Sequence, residues 1–230
     1  YDAGVVPSGQ ESCATSIAVG QIADLNAQSR GNDPQNAAFN NFTSCFGNVI
    51  GDACIEFCLA VSGHPQGYGL ADGDYAVTFG QIDFSEVTNG DGLYIPTDPN
   101  WAGYLNLFVA DLPGNLLGQA YRPGNFSGEG AVMTACSFGV GDITCPGMSS
   151  SNASGCFSAY NEGNTVSHEV GHYFSLKHIW GDTESCGSDD SISDTPNSDN
   201  DLSIFESSCN THNSCADLPS SCGSEDMYMN

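Results

Sequence analysis

Hydrophobic and polar positions recur with two different periods along this chain of 230 residues. Between Ser12 and Arg30 the apolar side chains return every three or four positions, which predicts a helix with one buried face. Short apolar runs or strict alternation predict strands at 53–60, 104–110, 116–121 and 131–138. Weaker patterns suggest a strand at 75–79 and a short helix at 34–42, and residues 1–11 are expected to be irregular.

The order of these elements favours the α+β class. The strands are accompanied by two separate long helices, without the regular strand–helix alternation of a parallel α/β sheet. We expect an N-terminal unit over residues 1–178 and a small, irregular C-terminal unit over 179–230. The second unit is rich in Ser, Asp, Asn and Cys and has too few apolar residues for a core of its own. We therefore expect ions or disulfides to stabilise it, with the candidate cysteines Cys186, Cys209, Cys215 and Cys222.

The second long helix carries the densest candidate chemistry in the chain. His168 and His172 are four positions apart, so on a helix both imidazoles stand on one face and can reach one metal ion. Glu169 follows the first histidine and lies beside such a metal without being a ligand. Three histidine ligands leave an open coordination position, which is typical of catalytic rather than structural zinc sites. A structural zinc site, or helical histidines without a metal, is the alternative.

A third histidine, His178, can join this site only if the helix ends early. Ten further residues of helix would carry His178 roughly 15 Å along the axis and onto another face. In zinc motifs of this length, glycine usually makes the break seven positions after the first histidine. Here that position is Ser175. We expect Ser175 to adopt a left-handed conformation at a cost of about 1–2 kcal/mol.

Composition limits the classes of partner. Three basic residues against 28 acidic ones give a net charge of -25, so the chain cannot neutralise phosphates. Nucleic acid and anionic membranes are therefore not expected as partners. Solubility in a salty or extracellular medium explains this acidity, and cation binding is the sharper alternative.

The cysteine content points to an oxidising compartment. The chain has 11 cysteines and no CxxC pair, which favours disulfides over a zinc–thiolate cluster. No apolar run approaches the length that spans a membrane. We expect a secreted, extracellular protein, processed from a longer precursor.

The motifs together resemble one family of metalloendopeptidases. The run from His168 to His178 reads HEVGHYFSLKH, which matches the metzincin signature HExxHxxGxxH except at Ser175. The chain is similar to the pappalysin family of metzincins, and above all to its cytophagalysin-like branch. The segments that carry this similarity are IEFCLA (55–60), YLNLFVADLPGNLLGQA (104–120), HIWGD (178–182), DTP (194–196) and DMYMN (226–230).

The resemblance implies a mixed, twisted sheet, two long helices and a set of site residues. It implies that His168, His172 and His178 bind one catalytic zinc ion and that Glu169 is the general base and acid. The implied substrate is an extended peptide, and the strand that would pair with it contains Leu116, Leu117, Gly118 and Gln119. A structural calcium ion is implied at Asp190 and Thr195, with Glu184 as a helper, whereas the alternative is a solvated acidic loop.

Two departures from the family bear on function. The family continues beyond 226–230 into a methionine-containing turn beneath the zinc. Its first strand normally precedes the first long helix, and only a poor version, at 4–7, is present here. We therefore expect a chain trimmed at both ends. Two functions stay open. The first is a secreted zinc endopeptidase, expected to be a monomer that acts on proteins or peptides. The second is a catalytically impaired extracellular binding module stabilised by zinc and calcium, which Ser175 favours and Glu169 disfavours.

Overall fold

The computed structural model describes residues 1–32, 51–65, 67–80, 88–89, 92–93, 99–112, 114, 116–120, 130–141, 145–148, 160, 162–181, 186, 190–193, 195, 197 and 215. This part of the chain contains the helices α1 (Glu11–Ser29) and α2 (Asn164–Tyr173). Its strands are β1 (Thr88–Asn89), β2 (Gly92–Leu93), β3 (Asn106–Ala110), β4 (Gly118–Ala120) and β5 (Gly130–Thr134). The predicted α+β class is confirmed at this level. The helix expected at 34–42 lies outside the described residues.

A mixed sheet of three strands forms the centre of the fold, with the order β3–β5–β4. β5 runs parallel to β3, with Leu107 opposite Ala131, and antiparallel to β4, with Gln119 opposite Val132. All five residues of β5 are buried, as expected for a central strand covered on both faces. β4 is an edge strand of this sheet, as predicted. β1 and β2 form a separate antiparallel pair.

The core lies between one face of this sheet and the two helices. α1 buries Ala14, Ile17, Ala18 and Leu25, whose separations of three, four and seven residues are the predicted helical pattern. The sheet contributes Val109, Ala131 and Met133, and α2 contributes Val166 and Val170. α2 therefore packs with its apolar stripe on the sheet, which fixes the face that carries its histidines.

A buried polar network from α1 fixes the start of α2. The side chain of Gln21 is fully buried; its Nε2 donates to the carbonyl of Gly163 at 3.2 Å, and its Oε1 accepts from the Gly139 amide at 2.7 Å. Gln28 Nε2 donates to Asp24 Oδ2 at 2.6 Å and to Asn164 Oδ1 at 2.9 Å. Gly163 has φ of 79°, and a Cβ at this position would overlap Asp24 Oδ2. The first turn of α2 is thus held by side chains from α1.

Two of the predicted strands are wrong. Residues 53–60 and 75–79 belong to no ladder, although Ile55, Phe57 and Leu59 are half-buried and alternate with exposed neighbours as expected. At Phe57, a side chain occupies the backbone groups that a neighbouring strand would otherwise bind. Asn26 Oδ1 accepts a hydrogen bond from the Phe57 amide at 2.7 Å, and Asn26 Nδ2 donates one to the Phe57 carbonyl at 2.8 Å. These bonds take the place of those that a neighbouring strand would form.

Two other expectations at strand ends also need correction. Residues 4–7 lie in a turn around Gly4, which has φ of 83°, and do not form a strand. The strand predicted at 131–138 stops at Thr134, and Ala135–Ser137 forms a 3₁₀ turn. Ser137 Oγ donates to the carbonyl of Thr134 at 3.1 Å and to that of Leu117 at 2.8 Å, which stabilises the turn.

Disulfides connect distant parts of the chain, as the cysteine content predicts. Cys13, in the first turn of α1, is bonded to Cys145, which is 132 residues away in sequence. Cys186 is bonded to Cys215, which confirms one crosslink in the C-terminal stretch. Cys136 is also disulfide-bonded. Within the described residues, no helix is long and apolar enough to span a membrane.

The end of α2 reverses the chain at Ser175. The Ser175 amide donates to the His172 carbonyl at 2.8 Å, and the Leu176 amide donates to the Gly171 carbonyl at 3.0 Å. These two bonds define a Schellman motif, in which the residue after the C-cap adopts a left-handed conformation and is usually glycine. Ser175 has φ of 75°, so the predicted left-handed serine is confirmed.

Replacing Ser175 with glycine should stabilise the protein. Glycine adopts the left-handed region without the Cβ clash, and Ser175 is exposed, so the free energy of unfolding should rise by about 1 kcal/mol. Urea denaturation measures this change. Ser16→Gly is the matched control, because Ser16 is an exposed residue inside α1, and the same substitution there should cost about 0.5 kcal/mol. Equal destabilisation by both substitutions would show that Ser175 is not strained.

Candidate metal centre

Three histidine side chains converge on one point at the end of α2. The Nε2 atom of His172 lies 3.0 Å from that of His168 and 3.1 Å from that of His178. The third distance, between His168 and His178, is 3.2 Å. Within the described part of the chain, these residues are the one group of three or more histidine, cysteine or acidic side chains that could hold a metal ion.

The triangle of Nε2 atoms has the dimensions of a zinc site. Zinc bonds to histidine nitrogen are about 2.0–2.1 Å long, so three tetrahedral ligands place their nitrogens about 3.3 Å apart. The observed separations of 3.0–3.2 Å are close to that value. They correspond to roughly 100° between metal–nitrogen bonds, with one side of the metal left open.

A backbone hydrogen bond sets the tautomer of His172. Its Nδ1 lies 2.8 Å from the carbonyl oxygen of Leu176, which can only accept, so Nδ1 carries the proton. The lone pair of neutral His172 is then on Nε2, the atom that faces the other two rings. A hydrogen bond from the remote nitrogen to a carbonyl is the usual arrangement around metal-binding histidines. The donor set therefore fits a divalent transition metal.

Glu169, which follows His168 on α2, is buried. The side chain is on α2 and is only 6% exposed. Burial raises the pKa of Glu169 to about 8, although a hydrogen bond from the backbone of Ala120 acts in the opposite direction. The carboxyl group thus lies between the histidine-bearing helix and the edge strand β4.

Comparison with known proteins was made by sequence and by fold. No protein-family model matches the chain. An extracellular metalloprotease from Arthroderma benhamiae is 37% identical over 90 residues, which cover 39% of this chain and 30% of the relative. An extracellular metalloprotease from Arthroderma otae is 33% identical over 146 residues, which cover 58% of this chain and 48% of the relative.

Solved structures of mirolysin share the fold. Mature mirolysin from Tannerella forsythia, in complex with a cleaved peptide, matches with a TM-score of 0.59 and 29% identity, over 86% of this chain and 70% of that one. Mirolysin in complex with a small-molecule compound is 30% identical with a TM-score of 0.56, over 85% of this chain and 69% of that one. The chain belongs to the metalloproteases.

The match to the curated metalloproteases is partial. The chain spans 30% of the length of the Arthroderma benhamiae relative and 48% of that from Arthroderma otae.

The structure brings the predicted substrate strand next to Glu169. The Leu117 carbonyl accepts from the Thr134 amide of β5 at 2.8 Å, so Leu117 faces into the sheet. Because alternate residues of an edge strand point their backbone groups in opposite directions, Gly118 and Ala120 face outward. This outward direction agrees with the hydrogen bond between Ala120 and Glu169. Of the four predicted residues, Gly118 therefore directs its backbone groups to the outer edge of β4. Leu117 and Gln119 direct theirs toward β5, and Leu116 precedes the strand.

The residues predicted to bind calcium are described only in part. The carboxylate of Asp190 is 7% exposed, and its Oδ1 accepts from the Ile192 amide at 2.8 Å. The Thr195 amide donates to the Ile192 carbonyl at 3.2 Å, so Asp190 and Thr195 flank one turn. Glu184 lies outside the described residues. The calcium site stays a prediction.

Two contacts at this site were missed by sequence reasoning. Gly118 has no side chain, and a Cβ there would lie 2.8 Å from both Cγ and Oε1 of Glu169. The indole of Trp180 is stacked on the His178 imidazole, with ring centroids 4.3 Å apart and planes 3° from parallel. The first contact joins residues 51 positions apart and gives no local signal. The second could have been suspected from an aromatic residue two positions after a ligand.

Adding a methyl group at Gly118 should displace Glu169. In the metal-stripped protein, Gly118→Ala should move the Glu169 carboxyl toward solvent, and its pKa should fall from about 8 toward the ordinary value of 4.5. NMR titration of the side-chain carboxyl carbon measures this pKa. Gly20→Ala is the control, because a Cβ at Gly20 meets nothing within 4 Å, and it should leave the pKa of Glu169 unchanged. An unchanged pKa in Gly118→Ala would contradict the predicted displacement.

Proposed function

We propose that this chain carries the catalytic site of a secreted, zinc-dependent endopeptidase of the metzincin class, similar to the pappalysins. The observation that supports this function best is the convergence of three Nε2 atoms within 3.2 Å of one another, two of them on the helix that carries a buried glutamate. Peptide bonds of proteins or extended peptides are the proposed substrates. The names of the curated relatives and the disulfides support an extracellular location.

His168, His172 and His178 are the proposed zinc ligands. When bound by these three histidines, zinc would lower the pKa of a water molecule to about 7 and would polarise a carbonyl group. The protein has two tasks in this scheme. It fixes the ring of His172 through the Leu176 carbonyl, and it brings His178 back by reversing the chain at Ser175, just after the helix ends.

Glu169 is the proposed general base and acid. Its carboxylate accepts a proton from the attacking water and then donates that proton to the nitrogen of the leaving amine. The group must be ionised at the start of this cycle. Burial raises the pKa of Glu169 to about 8, and a divalent cation at the neighbouring histidines acts in the opposite direction by favouring the carboxylate. A pKa between these two influences suits a group that both takes and returns a proton.

The outer edge of β4 is the proposed docking site for substrate. An extended peptide would add a strand there, with backbone hydrogen bonds to the outward-facing groups of Gly118. Of the predicted substrate residues, Leu116 has a partly exposed side chain that could contact the peptide, and Leu117 and Gln119 hold the strand in the sheet. Because Glu169 contacts this same strand, a peptide bound there lies next to the proton carrier.

Glu169→Gln should abolish peptide hydrolysis without loss of zinc. The amide keeps the shape of the side chain but cannot take a proton, so kcat/KM should fall by about 10²–10⁴-fold. Cleavage of an internally quenched peptide by the mature protein measures the rate, and elemental analysis measures the zinc. Chelation of zinc should also abolish cleavage, and added zinc should restore it.

Glu162→Gln is the matched control for this substitution. Glu162 is exposed and lies seven residues before Glu169, so the same change there should leave kcat/KM within about twofold of the wild type. Wild-type rates in Glu169→Gln would overturn the proposed role of this glutamate. A wild-type protein that binds zinc but cleaves no substrate would instead support the non-catalytic binding module.

We also propose that Asp190 and Thr195, with Glu184, bind a structural calcium ion. The support is chemical: Asp190 is a buried carboxylate in a tight turn, and oxygen ligands suit calcium. A buried carboxylate is costly unless a cation or several hydrogen bonds compensate its charge. Calcium at this turn would stabilise the stretch that follows the third histidine.

Calcium should raise the melting temperature of the zinc-loaded protein. Binding at about 100 times the dissociation constant contributes about 2.7 kcal/mol, which corresponds to a rise of roughly 5–10 °C for a chain of this size. Scanning calorimetry with and without a calcium-selective chelator measures the shift. Asp190→Asn should remove the shift, and Asp72→Asn, at an exposed aspartate, should retain it. A shift that persists in Asp190→Asn would place the calcium elsewhere.

A further inference from the structure

The third histidine differs from the other two in how the chain supports it. His168 and His172 project from the same face of α2, so the rigid helix fixes their spacing. His178 lies beyond the helix, three residues after the left-handed Ser175. The Gly181 amide donates to the His178 carbonyl at 2.8 Å, which places the histidine at the start of a tight turn. This bond fixes the backbone of His178 but does not by itself orient the imidazole ring.

The indole of Trp180 lies flat against that ring. The centroids are 4.3 Å apart and the two planes differ by 3°, so the rings are stacked face to face. Between them in sequence, the side chain of Ile179 is buried, with 7% of its surface exposed, and anchors the turn. Rotation of the imidazole about its χ angles would break the stack. The stacked geometry leaves the edge with Nε2 free to face His168 and His172.

We propose that Trp180 is a positioning residue for the metal centre, and that metal affinity depends on its stack with His178. The inference rests on the proposed function only as far as metal binding by the three histidines. A bound metal withdraws electron density from the imidazole, and an electron-poor ring is attracted more strongly to the indole face. Metal binding and stacking therefore reinforce each other, and by linkage the loss of one weakens the other by the same factor.

Three substitutions separate stacking from simple packing. Trp180→Leu keeps an apolar side chain but removes the flat ring, Trp180→Phe keeps a ring that can stack, and Trp101→Leu is the control. Trp101 contacts Tyr68 and Tyr104 at centroid distances of 5.4 and 5.6 Å and belongs to a different aromatic cluster. Zinc affinity is measured on metal-stripped protein by competition with a chromophoric chelator. The visible absorption of the cobalt-substituted protein reports the geometry of the ligands.

The expected result is a loss of affinity in one variant only. Trp180→Leu should weaken zinc binding by about 10–100-fold and change the cobalt spectrum, as for other residues that orient a metal ligand. Trp180→Phe should stay within about threefold of the wild type, and Trp101→Leu should bind zinc as the wild type does. Wild-type zinc affinity in a folded Trp180→Leu would overturn the proposal. A wild-type protein that binds no zinc would instead contradict the proposed function itself.

A second measurement uses folded protein even where Trp180→Leu fails to fold. The chain has two tryptophans, so Trp101→Phe leaves Trp180 as the single emitter and Trp180→Phe leaves Trp101. Cobalt bound at the histidines should quench the emission of Trp180 and leave that of Trp101 nearly unchanged. Equal quenching, or none, in the two proteins would show that Trp180 is not stacked on a metal ligand, and would overturn the proposal.

Discussion

The structure depends on the chain reversing direction within a few residues of the end of α2. The helix can present His168 and His172 to one point, but a continuous helix would carry His178 roughly 15 Å away from it. The Schellman motif at Ser175 makes the reversal, and the same turn brings the Leu176 carbonyl to 2.8 Å from His172 Nδ1. One backbone conformation therefore returns the third imidazole and also fixes the tautomer of the second. The reversal requires the left-handed conformation that Ser175 adopts.

The rest of the fold holds α2 in place, so that the chain reversal returns His178 to the two histidines on the helix. Val166 and Val170 bury one side of α2 against the sheet. The fully buried amide of Gln21, on α1, donates a hydrogen bond to the carbonyl of Gly163, the residue before the first turn of α2. Glu169 comes from the same helix but ends against the edge strand, where Gly118 leaves room for it. His168, His172 and Glu169 thus share one rigid support, and the strand proposed to hold substrate is packed directly on it.

Much of this could be predicted from local pattern, and the failures have a common cause. Helical spacing gives α1 and the histidine pair, and the serine in place of glycine predicts the left-handed turn. The strand at 53–60 was wrong because Asn26, far away in sequence, takes both backbone groups of Phe57. The contact between Gly118 and Glu169 was missed for the same reason. Alternation of apolar and polar residues shows which side of a segment is buried. It does not show which group forms hydrogen bonds with the backbone of that segment, and it does not show contacts between residues that are distant in sequence.

Three features of the site cost free energy. Two are polar, namely the converging imidazole nitrogens and the buried carboxyl group. The third is conformational, namely the left-handed backbone of Ser175. Three imidazole nitrogens converge with mutual separations of 3.0–3.2 Å, and the carboxyl group of Glu169 is buried on the same helix. A divalent cation at that point would compensate both, because it accepts the lone pairs and favours the carboxylate. The left-handed backbone of Ser175 is different, since its cost does not depend on charge and is the same with or without a metal. The stability of the surrounding fold must offset that cost, which connects the packing of α2 to the capacity of the three histidines to meet.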